Sequence, residues 1–369
     1  MRKQILTAAV MAAIAGMSIA AQADESTTVG GKAYLDFTNK TVKSSGTTTD
    51  KSTGFDLKRF YLSVGHSFDD MWSANLTTDV IYASDCSPTG STTVVTDVTT
   101  TPASDVTISC SGPAAVQTMV KKAYLQAKFS DAAVLRVGSA DMPWIPYVEH
   151  AYGYRWVEAT LTDRNHFANS ADWGAHLGGK VGMVNYAVSA VNGNGYKHPD
   201  RSKSLDFAGR VGVMPIAGLN LAAGFYDGKL GNNTYANANN PSLTINTAKR
   251  MDVLAAYSHD MFKVGAEFFS AKDWNNLSSS STKASGYSAF GSVNAGKGIA
   301  VFARYDQDKP AKNSTDNPKQ TYYHVGVSYE ARKNVDLALA YKNTKVTHNT
   351  TGVGDDKATE VGIWTQVKF

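Results

Sequence analysis

Apolar and polar residues alternate along this chain with a period of two, in one short run after another. The last run, Ala358–Phe369, is representative. Val361, Ile363, Thr365 and Val367 share one face, and Glu360, Gly362, Trp364, Gln366 and Lys368 share the other. Successive side chains of a strand point to opposite faces, so this period predicts β-strands with one apolar and one polar side. Sixteen such runs follow one another: Lys32–Thr38, Phe55–Phe68, Trp72–Tyr82, Thr118–Phe129, Ala133–Ala140, Trp173–Val181, Asn185–Asn192, Leu205–Met214, Leu219–Asp227, Arg250–Ser258, Phe262–Ala271, Ser285–Asn294, Ile299–Gln307, Thr321–Glu330, Val335–Thr344 and Ala358–Phe369.

Seven tight turns, such as Asp69-Asp70, Ser130-Asp131 and Gly296-Lys297-Gly298, alternate strictly with eight longer polar connections. An even strand count, with short turns at one end and long loops at the other, is the layout of an outer-membrane barrel. Closure is required because hydrocarbon leaves no backbone N–H or C=O a partner outside the sheet. Sandwiches and propellers also have many strands, but they bury alternating faces, and these polar faces are too charged to pack together. The expected fold is therefore all-β: a 16-stranded antiparallel transmembrane β-barrel whose third long loop folds inward.

Assigning the apolar positions to lipid leaves a lumen-facing set by alternation. It comprises Lys32, Asp36, Arg59, Asp79, Lys122, Lys128, Arg136, Lys180, Asp206, Arg210, Asp252, Lys263, Glu267, Arg304, Asp306, Glu330, Asp336, Lys342, Glu360 and Lys368. Charges there face water, whereas on the lipid face they would be costly. Sixteen strands are too many for side chains to fill, so a wet interior is expected.

The N-terminus modifies the boundaries. Met1-Arg2-Lys3, an apolar stretch from Ile5 to Ile19 and the small residues of Ala21-Gln22-Ala23 form a secretory leader, 1–23, expected to be cleaved before a single barrel domain, 24–369. Losing Arg2 and Lys3 takes the formal charge from +4 to +2, which offers no electrostatic case for nucleic acid. The two cysteines, Cys86 and Cys110, flank a Ser/Thr-rich segment in the second long loop. In an oxidising compartment a disulfide closing that loop is the default over two free thiols or half a metal site.

The third long loop, between Ala140 and Trp173, differs from the others. It carries Trp144, Tyr147, Tyr152, Tyr154, Trp156 and Phe167 in place of Ser/Thr/Gly filler. So much aromatic surface needs something to pack on, and the inner wall would supply it. Arg155, Arg164, Glu149, Glu158 and Asp163 would then stand at a constriction, with Arg59 and Arg136 from the wall and Trp144, Tyr147 and Trp156 beside them. Charges around a constriction set selectivity.

Lys58-Arg-Phe-Tyr-Leu-Ser-Val-Gly65, Lys122-Ala-Tyr-Leu-Gln-Ala-Lys-Phe129, Leu135-Arg-Val-Gly-Ser139, the position of the third loop and the terminal Phe369 resemble Gram-negative outer-membrane porins, most of all the phosphate-selective porin O/P group. The resemblance implies a sixteen-stranded barrel in the outer membrane, an inward third loop and a homotrimer embedded in outer-membrane lipid. Phosphate selectivity does not carry over. Members with that property show a ladder of inward arginines, and no strand here has one. Strong anion capture needs concentrated, bidentate donors.

The function expected is passive diffusion of small hydrophilic solutes or ions with weak charge selectivity. A bias toward sugars or aromatic acids, using Trp144 and Trp156 as stacking surfaces, is the next reading, followed by a structural sheath or adhesin. Catalysis is not expected: the eight histidines are scattered and there is no Gly-x-Ser-x-Gly elbow. No cofactor or metal is expected either, for lack of a Cys-x-x-Cys-His motif or ligand spacing.

Overall fold

The computed structural model describes residues 26–82, 116–240, 242–277, 280–311 and 316–369. The leader and both cysteines, Cys86 and Cys110, lie outside the described residues. Sixteen strands form one closed sheet: β1 (Ser26–Ser44), β2 (Thr47–Ser67), β3 (Trp72–Tyr82), β4 (Val116–Ser130), β5 (Ala133–Asp141), β6 (Ala171–Val181), β7 (Val184–Val191), β8 (Asp206–Val213), β9 (Leu219–Gly228), β10 (Ala248–Ser258), β11 (Phe262–Lys272), β12 (Lys283–Gly296), β13 (Ile299–Lys309), β14 (Lys319–Arg332), β15 (Val335–Thr347) and β16 (Asp356–Lys368). Each strand pairs with its chain neighbours, and β16 returns to β1.

The alternation read from the sequence separates two environments. In β10, Arg250, Asp252, Leu254 and Ala256 are buried, while Met251 and Val253 are exposed. Val253, Phe268, Val327, Leu339 and Ile363 belong to an apolar outer belt. That face suits hydrocarbon, and the closed ladder leaves no strand edge unpaired within it.

The β1/β16 seam explains the chain end. Pairing runs from Lys32↔Lys368 to Ser44↔Asp356. Gly31 and Phe369 then exchange backbone hydrogen bonds of 2.8 and 3.1 Å. The Phe369 ring settles 6.2 Å from the Phe60 ring, over Gly31. A Cβ on Gly31 would lie 2.7 Å from the Tyr61 backbone carbonyl oxygen as well as 2.4 Å from Phe369 Cζ, so this seam needs glycine there.

Two features depart from simple alternation. The first connection, expected as a polar loop between Thr38 and Phe55, is a continuous hairpin turning at Ser45 (φ 50°) and Gly46 (φ 84°). Two consecutive positive φ angles match the twist of antiparallel strands. The missed residues are polar and Thr-rich, yet they pair from Thr38↔Gly54 to Val42↔Asp50 and, after a one-residue shift at Thr49, on to Ser44↔Thr47. Apolar alternation marks only the part of a strand that faces lipid, while the ladder continues into water.

The second departure is a set of β-bulges, two of which lie beside the interior. Opposite Tyr34 and Leu35 the partners are Arg59 and Leu57, so Lys58 has no opposite number. Opposite Thr77 and Thr78 they are Lys122 and Val120, so Lys121 is likewise unopposed. A bulge inserts one residue into the alternation and re-aims a side chain.

Candidate functional site: a loop packed on the inner wall

The connection from β5 to β6 carries the site. Within it, α1 (Ile145–Tyr152) starts with a proline in its first turn and stops at Gly153, whose φ of 82° closes the helix through its N–H to the Glu149 carbonyl at 2.9 Å. Proline suits the first helical turn and glycine the left-handed stop. A single turn, α2 (Leu161–Arg164), follows.

The buried face of α1, Ile145, Val148 and Tyr152, recurs at helical spacing. Val148, Tyr152 and Trp144 pack on Ala222, Leu254, Ala256 and Phe290 of the wall. Leu161 and Phe167 pack on Phe269, Ala271 and Ala284, and Trp156 and Val157 on Tyr34, Phe302, Ala338, Ala340 and Trp364. The strand partners lie on the face opposite the apolar belt, so the loop lies against the inner wall. Small residues make room for it. A Cβ on Gly224 would fall 2.7 Å from Trp144 Cε3.

Polar contacts hold the loop backbone. Four wall cations each donate to one of its carbonyl oxygens. Arg210 donates to Pro143 at 3.0 Å, Arg304 to Ala159 at 2.5 Å, Lys342 to Val157 at 2.7 Å, and Arg250 to Phe167. Two of them keep buried counter-charges, Arg250 with Asp252 at 2.8 Å and Arg304 with Asp306 at 2.6 Å. Arg164 of the loop approaches Asp306 (3.4 Å) and Asp308 (3.7 Å) and covers the Tyr322 ring. The Trp144 indole donates to Glu267 at 2.9 Å, and Thr162 to the same oxygen at 3.3 Å. Irregular backbone needs such partners wherever water is excluded.

Glu158 sits among the anchors, 3.3 Å from Lys342. Burial opposes its ionisation, but Lys342, Arg164 and Arg304 outweigh burial and hold its carboxyl down to about 2. Glu149 shows the opposite balance: burial pushes its carboxyl above the usual range, against the pull of Arg155 and Lys121.

Among the described residues two large cavities remain, one of about 790 Å³ toward the long-loop end and one of about 780 Å³ toward the chain termini. Both are lined by Tyr34, Tyr61, Lys121, Arg155, Trp156 and Ser170, which therefore stand at the neck between them. Arg155 is fixed there by Glu149 at 2.7 Å and Asp163 at 3.1 Å.

The expected site residues divide accordingly. Arg155 and Trp156 reach the neck. Arg59, Glu158, Asp163 and Arg164 line the outer cavity, and Glu149 lines the inner one. Trp144 is buried under the loop, and Tyr147 donates to Asn220 and lies beneath Arg210; neither lines the two large cavities. Arg136 bonds Gln126 at 2.8 Å and also stands apart from them.

Sequence alternation missed Lys58 and Lys121, the two bulge residues, which join Arg59 and Lys122 in lining the cavities. A signal existed: strict counting from Leu125 and Ala123 puts Lys121 on the lipid face, where a lysine costs about 2–4 kcal/mol at mid-membrane. Tyr196 was also missed. It belongs to the β7–β8 connection and crosses the mouth to bond Asp79 of β3 at 2.6 Å.

A closed sixteen-stranded barrel with an apolar belt, a charged interior and a loop on its inner wall defines an outer-membrane channel for small solutes. The chain belongs to the Gram-negative porin family, whose model matches residues 7–350. It is accordingly a protein of the bacterial outer membrane. No curated protein matches the sequence.

Similar solved structures include the anion-selective porin from Comamonas acidovorans, 13% identical, covering 94% of this chain and 100% of that one with a TM-score of 0.60. The outer membrane channel DcaP of Acinetobacter baumannii is 13% identical, covering 95% and 99%, also at 0.60. A trimer form of OmpT from Vibrio cholerae is 13% identical, covering 94% and 100%, at 0.54. At such identities the likeness is one of fold.

Proposed function

We propose that this porin is a passive diffusion channel with a modest preference for anions, and that the third loop forms its constriction. One observation carries the proposal. Every carboxylate side chain lining the two cavities is held by a cation: Asp56 by Lys58, Glu158 and Glu360 by Lys342, Asp163 and Glu149 by Arg155, and Asp141 by Lys122. Lys40, Lys197, Lys121, Lys32 and Lys263 line the same cavities and form no ion pair among the described residues.

Isolated ammonium groups spread along a wet path raise local anion concentration, and salt screens each beyond ~8–10 Å. The preference is therefore modest. The likeness to the phosphate-selective porin O/P group extends, in this reading, to the barrel plan and not to phosphate. A homotrimer fits the same reading, and the trimer form of the similar Vibrio cholerae protein supports it. Cleavage after Ala23 and a Cys86–Cys110 bridge complete the proposal.

Liposome swelling tests it with three solutes of matched size: a neutral sugar, a carboxylate and an ammonium compound. The carboxylate should enter fastest and the ammonium compound slowest. Entry of none of them, or faster entry of the ammonium compound, would overturn the proposal.

A further inference from the structure

The neck contains one cation in an unusual position. Lys121 Nζ lies 4.7 Å from the centroid of the Tyr61 ring and 5.7 Å from that of Tyr196. It has no carboxylate partner among the described residues, and it faces both cavities. The rings around it are fixed. Tyr61 meets Tyr34 edge-on with centroids 5.9 Å apart, and Tyr196 is pinned through its hydroxyl to Asp79. Trp156 borders both cavities from the loop side, with most of its ring buried against the wall. Arg155, the other cation at the neck, is already engaged by two carboxylates.

We propose that the neck is a binding site for aromatic monocarboxylates, with Lys121 as the charge partner and Tyr61, Tyr196, Tyr34 and Trp156 as the surroundings of the ring. The inference rests on the anion-preferring reading above and adds a substrate class to it. An ammonium resting on ring faces keeps room for an anion, and a carboxylate supplies the partner it lacks. An aromatic body behind that carboxylate then meets ring edges and faces, which a small inorganic anion cannot use. One free cation suits one negative charge. At the neck itself the other cation is Arg155, which a second charge would have to draw away from Glu149 or Asp163.

The bulge is what makes this site. Without it, strict alternation would aim Lys121 at lipid and leave Lys122, already paired with Asp141 at 2.6 Å, as the only lysine of that pair inside.

The test is block of chloride current through the full-length protein in planar bilayers by benzoate, cyclohexanecarboxylate, acetate and phosphate. Benzoate should block at about three- to tenfold lower concentration than cyclohexanecarboxylate, which has the same charge and similar bulk but no ring electrons. Lys121→Gln should weaken benzoate block by a similar factor and leave assembly into the membrane intact. Tyr61→Leu should remove the difference between benzoate and cyclohexanecarboxylate. Equal block by those two in the native protein, undiminished benzoate block in Lys121→Gln, or tighter block by phosphate would each overturn the proposal. The zero-current potential in plain KCl separates the two claims. A cation-preferring native protein refutes the anion reading, whereas anion preference with equal block refutes only the aromatic site.

Discussion

Lys342 of β15 donates a 2.7 Å hydrogen bond to the Val157 carbonyl, tying the barrel wall to the third long loop. The same ammonium lies 3.3 Å from Glu158, 3.4 Å from Glu360 and 4.1 Å from the centroid of the Trp364 ring. A residue placed by alternation among the lumen charges thus holds the loop, as do Arg210 and Arg304 of the same set and Arg250, which the alternation left out. Charge on the inner wall has two uses here. Under the loop it binds backbone; opposite the loop it faces the permeating solute.

Replacing Lys342 with methionine separates these uses. The variant keeps apolar contact with Trp364 but leaves the Val157 carbonyl without its donor and takes the Lys342 ammonium from Glu158, which keeps Tyr322 and the Ala159 N–H. Loss of a buried partner costs about 1–3 kcal/mol, and the cost falls on loop docking. Single-channel recordings should show noisier current with a larger mean conductance while the barrel still assembles. Native-like noise and conductance would contradict the anchoring role.

Trp144 is expected to matter for stability and not for solute choice. Trp144→Ala removes a buried indole from the Leu254/Ala256/Phe290 bed and takes away a donor to Glu267. Large-to-small changes of this kind cost about 3–5 kcal/mol. Thermal unfolding should begin at lower temperature, with the order of preference among small solutes retained. A reversal of that order at unchanged stability would place Trp144 in the permeation path.

The pH response follows from the two loop glutamates. A carboxyl raised by burial, as at Glu149, is less stable ionised in the folded protein, so acidification neutralises it before ordinary carboxylates. Arg155 then keeps only Asp163, and the neck gains positive charge. Glu158 is lowered instead, to about 2. The stability it contributes is present above the ordinary carboxyl value and lost only as pH falls through about 2. Anion preference should therefore rise as pH falls from neutral, before ordinary carboxylates begin to titrate, with the loop still docked. Glu149→Gln should show the raised preference already at neutral pH and little further change. A fall in anion preference on acidification would contradict this assignment.

The strands were legible because one face of each must be apolar for lipid and the other need not be. Wherever that requirement lapsed, the pattern lost its meaning. The Thr-rich arms around Ser45-Gly46 form a ladder in water and looked like loop. Lys58 and Lys121 sit at bulges, which a strict count of two cannot see. The aromatic loop was legible as a segment needing a surface, and the matching surface was written in Ala222, Gly224, Ala256, Ala271, Ala284, Ala338 and Ala340, too small to fill a wall alone. What no single stretch encodes is which cations the loop covers. Arg210 with Pro143 and Arg304 with Ala159 are separated by 67 and 145 residues, and only closure brings them together.

In the proposed channel, unpaired lysines and paired carboxylates line the water-filled path. The zero-current potential of the native channel across a tenfold KCl gradient at neutral pH tests this most directly. The expected sign is that of chloride passing more readily than potassium, with a magnitude well short of ideal selectivity. A potential of the opposite sign would mean that the carboxylates, and not the lysines, govern the path.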